Sequence, residues 1–351
     1  MNFILKLYRK LVPEKVRRAC NVSLQKMQTA YKNKRAMQVH RYGDLNKDKT
    51  FYVIYSQWPQ TWGLATTVSI VVNNIKYAVE RGWIPVVDLK RCYIKGVQNE
   101  EHKGKENAWE YYFEQPVTGY LLEDVYRSRR VILAPDKGQP YGSIDWKNMQ
   151  ALSDEMYTPY FEAAAKYIRI RPDIMERAKK RRKELFDRAG DKKILGIGMR
   201  AGLYWGEVLH SDMYVNHPRG LNIDEYIEYT HRYMREFGCD YIFVSPDDRY
   251  YLERMKQEFG EKCLYMDERS LPRYFDDEGQ PIYHAEGGEI ERDDQSVEER
   301  SVDYLIETYL LSTCDALFRV QGGGSVLACL LNNRRYENYY MVDRGVYRGL
   351  V

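Results

Sequence analysis

An arginine at the end of one apolar run and a glycine turn just after another are the residues best suited to chemistry in this chain. Arg200 closes the run Ile194 to Met199 (ILGIGM). A guanidinium there can fork onto a phosphate or a carboxylate and stays charged throughout; the other reading is an ion pair with a structural carboxylate. Gly322, Gly323, Gly324 and Ser325 follow a second apolar run, Ala316 to Val320. Glycines let a backbone approach a ligand, and the helix start that follows offers free N–H groups to an anion; a plain turn has the same composition. Asp247 and Asp248 end a third run and either cap the next helix or touch a ribose or base. Gly63 lies in a loop that either approaches a ligand or simply turns.

No two aspartates stand two residues apart, so the D-x-D pattern that holds a divalent ion is absent. Zinc-type His/Cys spacing and a G-x-S-x-G elbow are absent as well, which removes the main support for hydrolase readings. What remains is an anion held by a fixed cation and backbone dipoles, with no metal and no cofactor expected.

These residues need strands and helices to hold them. The runs 194–199, 241–245 and 316–320 read as buried strands of an α/β domain, each followed by a turn and a helical pattern. Pro246-Asp247-Asp248 starts a charged helix to about Phe259, and Ser296 with Glu299 forms a capping box for a helix carrying Val302, Leu305, Ile306, Tyr309 and Leu310. In open α/β sheets, ligands bind at the carboxyl ends of the strands, where Arg200 falls. The first half shows strands at 51–55, 84–88 and 131–134, a helix from about Thr66 to Glu80, and a charged helix from about Pro172 to Ala189. Residues 91–128 show no clear pattern and read as an insertion.

The order of these motifs resembles the α-1,6-fucosyltransferases, the bacterial nodulation-factor fucosyltransferases and, more distantly, the protein O-fucosyltransferases. Gly196 to Ala201 (GIGMRA) stands where that superfamily has G-V-H-V-R-R. His217-Pro218 precedes a helix with Asp224-Glu225-Tyr226, in place of H-P and E-E-Y. Ser245 to Asp248 (SPDD) replaces a strand ending in T-D-D. Leu305 to Asp315 (LIETYLLSTCD), then Ser325, replaces I-L-D-I-x-x-L-S-x-x-D and a serine turn. The likeness covers about 150 residues of the C-terminal half. Three positions depart from it: the second arginine is Ala201, the histidine before the first arginine is Gly198, and the helix aspartate is Glu307.

The resemblance implies an α/β fold of the GT-B type, two Rossmann-like lobes facing a central cleft. It divides the chain into a basic arm (1–44), an acceptor-side lobe (45–189), a nucleotide-sugar lobe (190–345) and a tail (346–351). It implies inverting transfer from GDP-fucose or a related nucleotide sugar to a glycan acceptor, such as a bacterial surface glycan or its lipid-linked precursor. In that reading Arg200 and the Gly322–Ser325 turn hold the diphosphate, and Glu307 accepts from the base, since a carboxylate can take both N–H donors of guanine's pairing edge. An inverting transfer needs a base for the acceptor hydroxyl. The family places a glutamate eight residues beyond the arginine; Val208 stands there, and Glu207 is one residue away. His210 is the second candidate and His217, on the acceptor side, the third, while each also reads as an ordinary loop residue. A non-catalytic nucleotide- or glycan-binding relative is the other class left open.

Length and composition suit two domains of ordinary size, with 351 residues and 44% apolar content. The six cysteines are scattered without a C-x-x-C pair, which points to a reducing compartment. With no signal peptide and no long apolar span, a cytoplasmic location is expected. Charge is uneven: residues 1–41 carry 11 Lys/Arg against only Glu14. Phe3, Ile4, Leu5, Leu7, Leu11 and Val12 interleave with Lys6, Arg9 and Lys10. Such an arm can lie on an anionic membrane surface, as a peripheral attachment through residues 1–40, or pack on the protein itself. Phosphate binding needs no such apolar residues, so nucleic acid is not an expected partner. Between Asp267 and Gln295, 10 acidic residues face 3 basic ones, a polar loop that is either disordered or a lid.

Overall fold

The computed structural model describes residues 31, 34, 37–55, 63–90, 97–135, 144, 149, 151–152, 154–202, 204, 215–267, 271–282 and 295–348. Two separate parallel sheets carry the chain. In the first, β1 (Phe51–Ile54) is central and is followed by α1 (Leu64–Val79) and β2 (Ile84–Val87). After single 3₁₀ turns at Glu100–His102 and Ala108–Tyr111 come α2 (Leu122–Val125) and β3 (Val131–Leu133), giving the order β2-β1-β3. Two more helices among the described residues, α3 (Thr158–Tyr167) and α4 (Pro172–Phe186), follow in this half.

The second sheet has the order β6-β5-β4-β7-β8, all parallel. Its elements alternate: β4 (Ile194–Gly198), α5 (Ile223–Phe237), β5 (Tyr241–Ser245), α6 (Arg249–Phe259) and β6 (Cys263–Leu264) run out from the centre. The chain then returns through α7 (Val297–Ser312), β7 (Ala316–Val320), α8 (Gly323–Asn332) and β8 (Asn338–Val342) on the other side.

Burial explains the strand sequences. β1, β4 and β7 are buried along their full length, so they read as apolar runs rather than alternating ones, broken only by Arg319 in β7, as parallel strands covered on both faces must. α5 shows the contrasting amphipathic case, burying Ile223, Tyr226, Thr230 and Tyr233 at helical spacing while its charged face looks outward. One apolar cluster joins helices of both halves: Val68, Val71 and Val72 of α1, Phe161 of α3, Leu310 of α7, and Leu327 and Leu330 of α8. A second fills the far face of the second sheet around Ile197, Tyr226, Val244 and Phe318.

Several expectations are refined. The helix expected from about Thr66 begins at Leu64, two residues early, and α3, β6 and β8 lack the sequence signals used for the other elements. Within the expected insertion, the stretch 97–125 is packed into the fold. Trp109, Tyr112, Phe113 and Val125 are fully buried, Trp109 Nε1 donates to Glu114 O at 2.9 Å, and Tyr112 donates to Val97 O. It also reaches the second half, where the Asn99 amide and side chain donate to the Glu298 carboxylate of α7 at 2.8 and 2.7 Å. Tyr347, in the expected tail, is likewise tied down: Tyr347 N donates to His217 O and Asn216 N to Tyr347 O, each at 2.8 Å.

Candidate functional site

The strand order of the second sheet reverses between β4 and β7: β4, β5 and β6 run to one side, β7 and β8 to the other. At such a switch point the following loops diverge and leave a crevice at the carboxyl edge, the usual ligand position in this class of sheet. Arg200 leaves β4 there, and the Gly322–Ser325 turn leaves β7 there. A methyl group on Gly322 would sit 3.0 Å from Arg200 Cγ, so the two segments touch.

The glycines are needed for close approach. A methyl group on Gly324 would strike the Tyr304 hydroxyl, and one on Gly323 would sit 3.2 Å from Thr66 Oγ1 and 3.5 Å from Ala65 Cβ. Thr66 and Ala65 belong to the first turn of α1, which Gly63 opens after β1, the strand at which the first sheet also reverses. Two helix N-termini therefore meet. Neither has a side-chain cap from its own N-cap residue, Gly63 or Gly322, and neither carries an acidic residue or a proline in its first turn. The other described α-helices each have at least one of these: Asn222 with Glu225 on α5, Asp248 on α6, Ser296 with Glu299 on α7, Pro159 on α3, Pro172 on α4, and Glu123 and Asp124 on α2. First-turn N–H groups left without a cap are hydrogen-bond donors open to an anion.

Arg200 is held from three sides while its side chain remains 46% exposed. Its backbone N–H donates to the Tyr226 hydroxyl at 2.9 Å, and burial holds that phenol well above its usual pKa range. Its guanidinium lies 3.2 Å from Asp247 Oδ2, while Asp247 Oδ1 accepts from Ala201 N at 2.6 Å. Asp247 therefore fixes both the loop and the direction of Arg200, which makes it a partner of the arginine. Ala201 is fully buried, so a longer side chain there has no path to the crevice without a shift.

No family model matches the sequence, and no curated protein matches it. In structure, the chain resembles fucosyltransferases. A Bradyrhizobium fucosyltransferase, NodZ, aligns over 81% of this chain and 92% of its own, at 14% identity and a TM-score of 0.43. A mutant of Arabidopsis thaliana FUT1 in complex with GDP aligns over 98% and 78%, at 13% identity and 0.47. The apo form of POFUT1 aligns over 84% and 99%, at 11% identity and 0.41.

The remaining sequence candidates are placed unequally. Asp248 is fully buried: Oδ1 accepts from Tyr251 N at 3.1 Å as the cap of α6, and Oδ2 accepts from Tyr274 N at 2.6 Å and Phe275 N at 3.3 Å. Burial pushes its pKa up to about 6 even against those three N–H groups. With both oxygens engaged it caps a helix and holds the 274–275 segment, and it has no face for a ribose or base; that part of the expectation is corrected. Glu307 is 1% exposed and accepts from the Ser245 hydroxyl at 2.7 Å, at the carboxyl end of β5. His217 lies on the surface, in the segment paired with the chain's end. Glu207 and His210 lie outside the described residues, as do most of the basic arm and much of the 267–295 loop.

Among the described residues no group of three His, Cys, Asp or Glu is arranged to hold a metal ion, and no helix is long and apolar enough to cross a membrane. A cavity of 740 Å³ lies at the opposite end of α8, lined by Ile168, Met175, Leu330, Leu331 and Arg335. None of the residues at the switch point lines it, and the chemistry described here is elsewhere.

Proposed function

We propose that this chain is a metal-independent, inverting glycosyltransferase of the fucosyltransferase type. Its donor is GDP-fucose or a related nucleotide sugar, and its acceptor a bacterial surface glycan or a lipid-linked precursor. The observation that carries the reading is the meeting of two uncapped helix N-termini beside Arg200 at the switch point of the second sheet. A diphosphate fits this arrangement, because first-turn N–H groups and a guanidinium both offer donors and positive charge. As the sugar leaves, negative charge grows on the diphosphate, and groups already aimed there stabilise it without reorganising.

In this proposal residues 45–189 and 190–345 form the two lobes, and α1 and α8 bring their N-termini to the cleft. Arg200 and the Gly322–Ser325 turn bind the diphosphate, and Asp247 orients Arg200. Glu307 receives the base once the Ser245 hydroxyl gives up its carboxylate. Glu207 takes the acceptor proton, with His210 as the alternative and His217 on the acceptor side. The basic arm, residues 1–40, attaches the enzyme to the anionic inner face of the membrane. Its deletion is expected to abolish sedimentation with anionic liposomes at low salt; full-length protein that ignores such liposomes rules the attachment out.

A non-catalytic binder of the same ligands is favoured by one observation, the buried Ala201 that removes a second cation from the loop after β4. Titration calorimetry of GDP, UDP, dTDP and inorganic pyrophosphate, with wild type and Arg200→Ala, tests the binding both readings share. At least one nucleoside diphosphate should bind, and the variant should lose about 1.5–3 kcal/mol, the worth of a hydrogen bond to a charged group. Binding unchanged by the variant removes Arg200 from the site. Transfer of sugar to a glycan by wild type then separates the enzyme from the binder.

A further inference from the structure

Arg319 is the fourth residue of β7, inside an otherwise apolar strand, and it is fully buried. Its Nε donates to the Tyr339 hydroxyl at 2.7 Å. One terminal nitrogen donates to Ser325 Oγ at 3.3 Å and Val320 O at 3.4 Å, and the other to Met149 O at 3.2 Å. Every one of these acceptors is neutral. Among the described residues no carboxylate lies within ion-pair distance of Arg319. A guanidinium does not shed its proton in a protein, so the interior holds a full positive charge with hydrogen bonds but, among the described residues, no counterion.

The location of that charge gives it a use. Ser325, which accepts from Arg319, is the third residue of α8 and itself donates within the turn, toward Gly322 O at 3.1 Å or Val320 O at 3.3 Å. Gly198 is the register partner of Arg319 on β4, and a methyl group there would sit 3.0 Å from Ser325 Cβ and 3.5 Å from Arg319 Cβ. Arg319 and Ser325 thus fill the space beside Gly198, directly under the switch point. We propose that Arg319 is the second cation of the anion site, a positioning residue that acts on a diphosphate from beneath, through Ser325 and the first turn of α8. The inference rests on the donor-site reading above. In it the loop after β4 supplies one exposed positive charge, Arg200, and the neighbouring strand supplies a buried one. Because Arg319 and the Ser325 above it are both buried, the charge beneath the turn is screened far less than a surface charge at equal distance.

A purely mechanical role is the competing account, since the same fork ties β7 to Tyr339 of β8 and to Met149. The two accounts part on charge. Arg319→Lys breaks the fork and keeps the charge; Arg319→Gln breaks the fork and removes it. The probe is inorganic pyrophosphate, read by calorimetry and by the rise it causes in melting temperature. Wild type and Arg319→Lys should bind it within about threefold of each other, although the Lys variant melts lower, while Arg319→Gln should bind about tenfold or more weakly. Equal loss in both variants, or no loss in either, overturns the proposal and leaves Arg319 a strap. If Arg319→Gln does not fold, the Lys variant decides: retained affinity supports the charge role and lost affinity overturns it. Nucleotide binding that depends on Arg200 but not on the charge at 319 sinks this inference alone. Wild type that binds neither pyrophosphate nor any nucleoside diphosphate sinks both.

Discussion

The N-termini of α1 and α8 both start on glycine after a strand where the sheet order reverses, and they touch through Thr66 and Gly323. Their electrostatic surroundings differ. α8 has Arg200 against its first glycine and Arg319 beneath its third helical residue. α1 has no described cation in its first turn, and Gly63 stands exposed. The pairing teaches how a site can be divided between two similar elements. One end concentrates charge and suits an anion such as the proposed diphosphate; the other offers neutral donors and suits a group that needs placement more than charge. A second contrast sharpens this one. The ends of α5 and α7 are closed by capping boxes and that of α6 by Asp248, so among the helices α5 to α8 only α8, at the switch point, begins without a cap.

The largest effect expected concerns the residue that would turn an anion site into a catalyst. Glu207→Gln keeps size and polarity but cannot accept a proton. Turnover should fall by about 10²–10⁴-fold, the usual contribution of general-base catalysis, while nucleotide affinity holds. Steady-state transfer rates and calorimetry on the same variant check the split. Near-normal transfer would hand the role to His210 or His217.

A pH experiment tests the closed end of α6. Burial raises the folded-state pKa of Asp248 from 3.8 to about 6, so the folded protein prefers the carboxyl protonated. The sign follows from linkage: this contribution is fully present below pH 3.8 and is lost as pH rises through about 6. At about 1.4 kcal/mol per pKa unit, it amounts to roughly 3 kcal/mol. Denaturant unfolding of wild type and Asp248→Asn at pH 4 and pH 7 isolates it. Wild type should lose about 2 kcal/mol of this relative to the variant on going from the lower to the higher pH, because at pH 4 the unfolded carboxyl is already partly ionised. A difference that stays constant across that range would show that the three N–H donors outweigh burial.

Much of this arrangement is legible in the sequence, and the legible parts share a cause. Central parallel strands are buried on both faces, so β1, β4, β5 and β7 are written as short apolar runs, and the turns after them are written in glycine or aspartate because the backbone there must cap or approach something. Ser296 with Glu299 states a helix start outright. What is illegible lacks local periodicity. The 97–125 segment packs Trp109, Tyr112, Phe113 and Val125 through single turns too short to repeat a pattern, among charged neighbours that mimic a loop. β6 has two residues, and β8 keeps partly exposed tyrosines. The roles of Asp247 and Asp248 are indistinguishable in sequence, because which carboxylate meets Arg200 and which meets Tyr251, Tyr274 and Phe275 depends on segments far apart in the chain. Arg319 did leave a signal: an arginine inside ALFRV is a charge in a strand that should be dry. Reading that strand as apolar passes over the one residue that breaks the rule.

The smallest effect expected is the control for the whole comparison. If open and closed helix ends differ as described, disabling a closed one should affect folding and leave ligand binding alone. Asn222 accepts from Glu225 N at 2.8 Å, while the Glu225 carboxylate accepts from Asn222 N at 2.8 Å and pairs with Arg344 at 2.8 Å. Asn222→Ala removes the cap oxygen but leaves the Glu225–Arg344 pair, so about 1 kcal/mol of stability should be lost, the usual worth of an N-cap. Pyrophosphate affinity should not change, since α5 starts after the long 199–222 connection and its first turn is already engaged. Denaturant midpoints and calorimetry on one preparation read both quantities. If affinity falls along with stability, closed ends also feed the site, and the division between open and closed N-termini is not the principle that locates it.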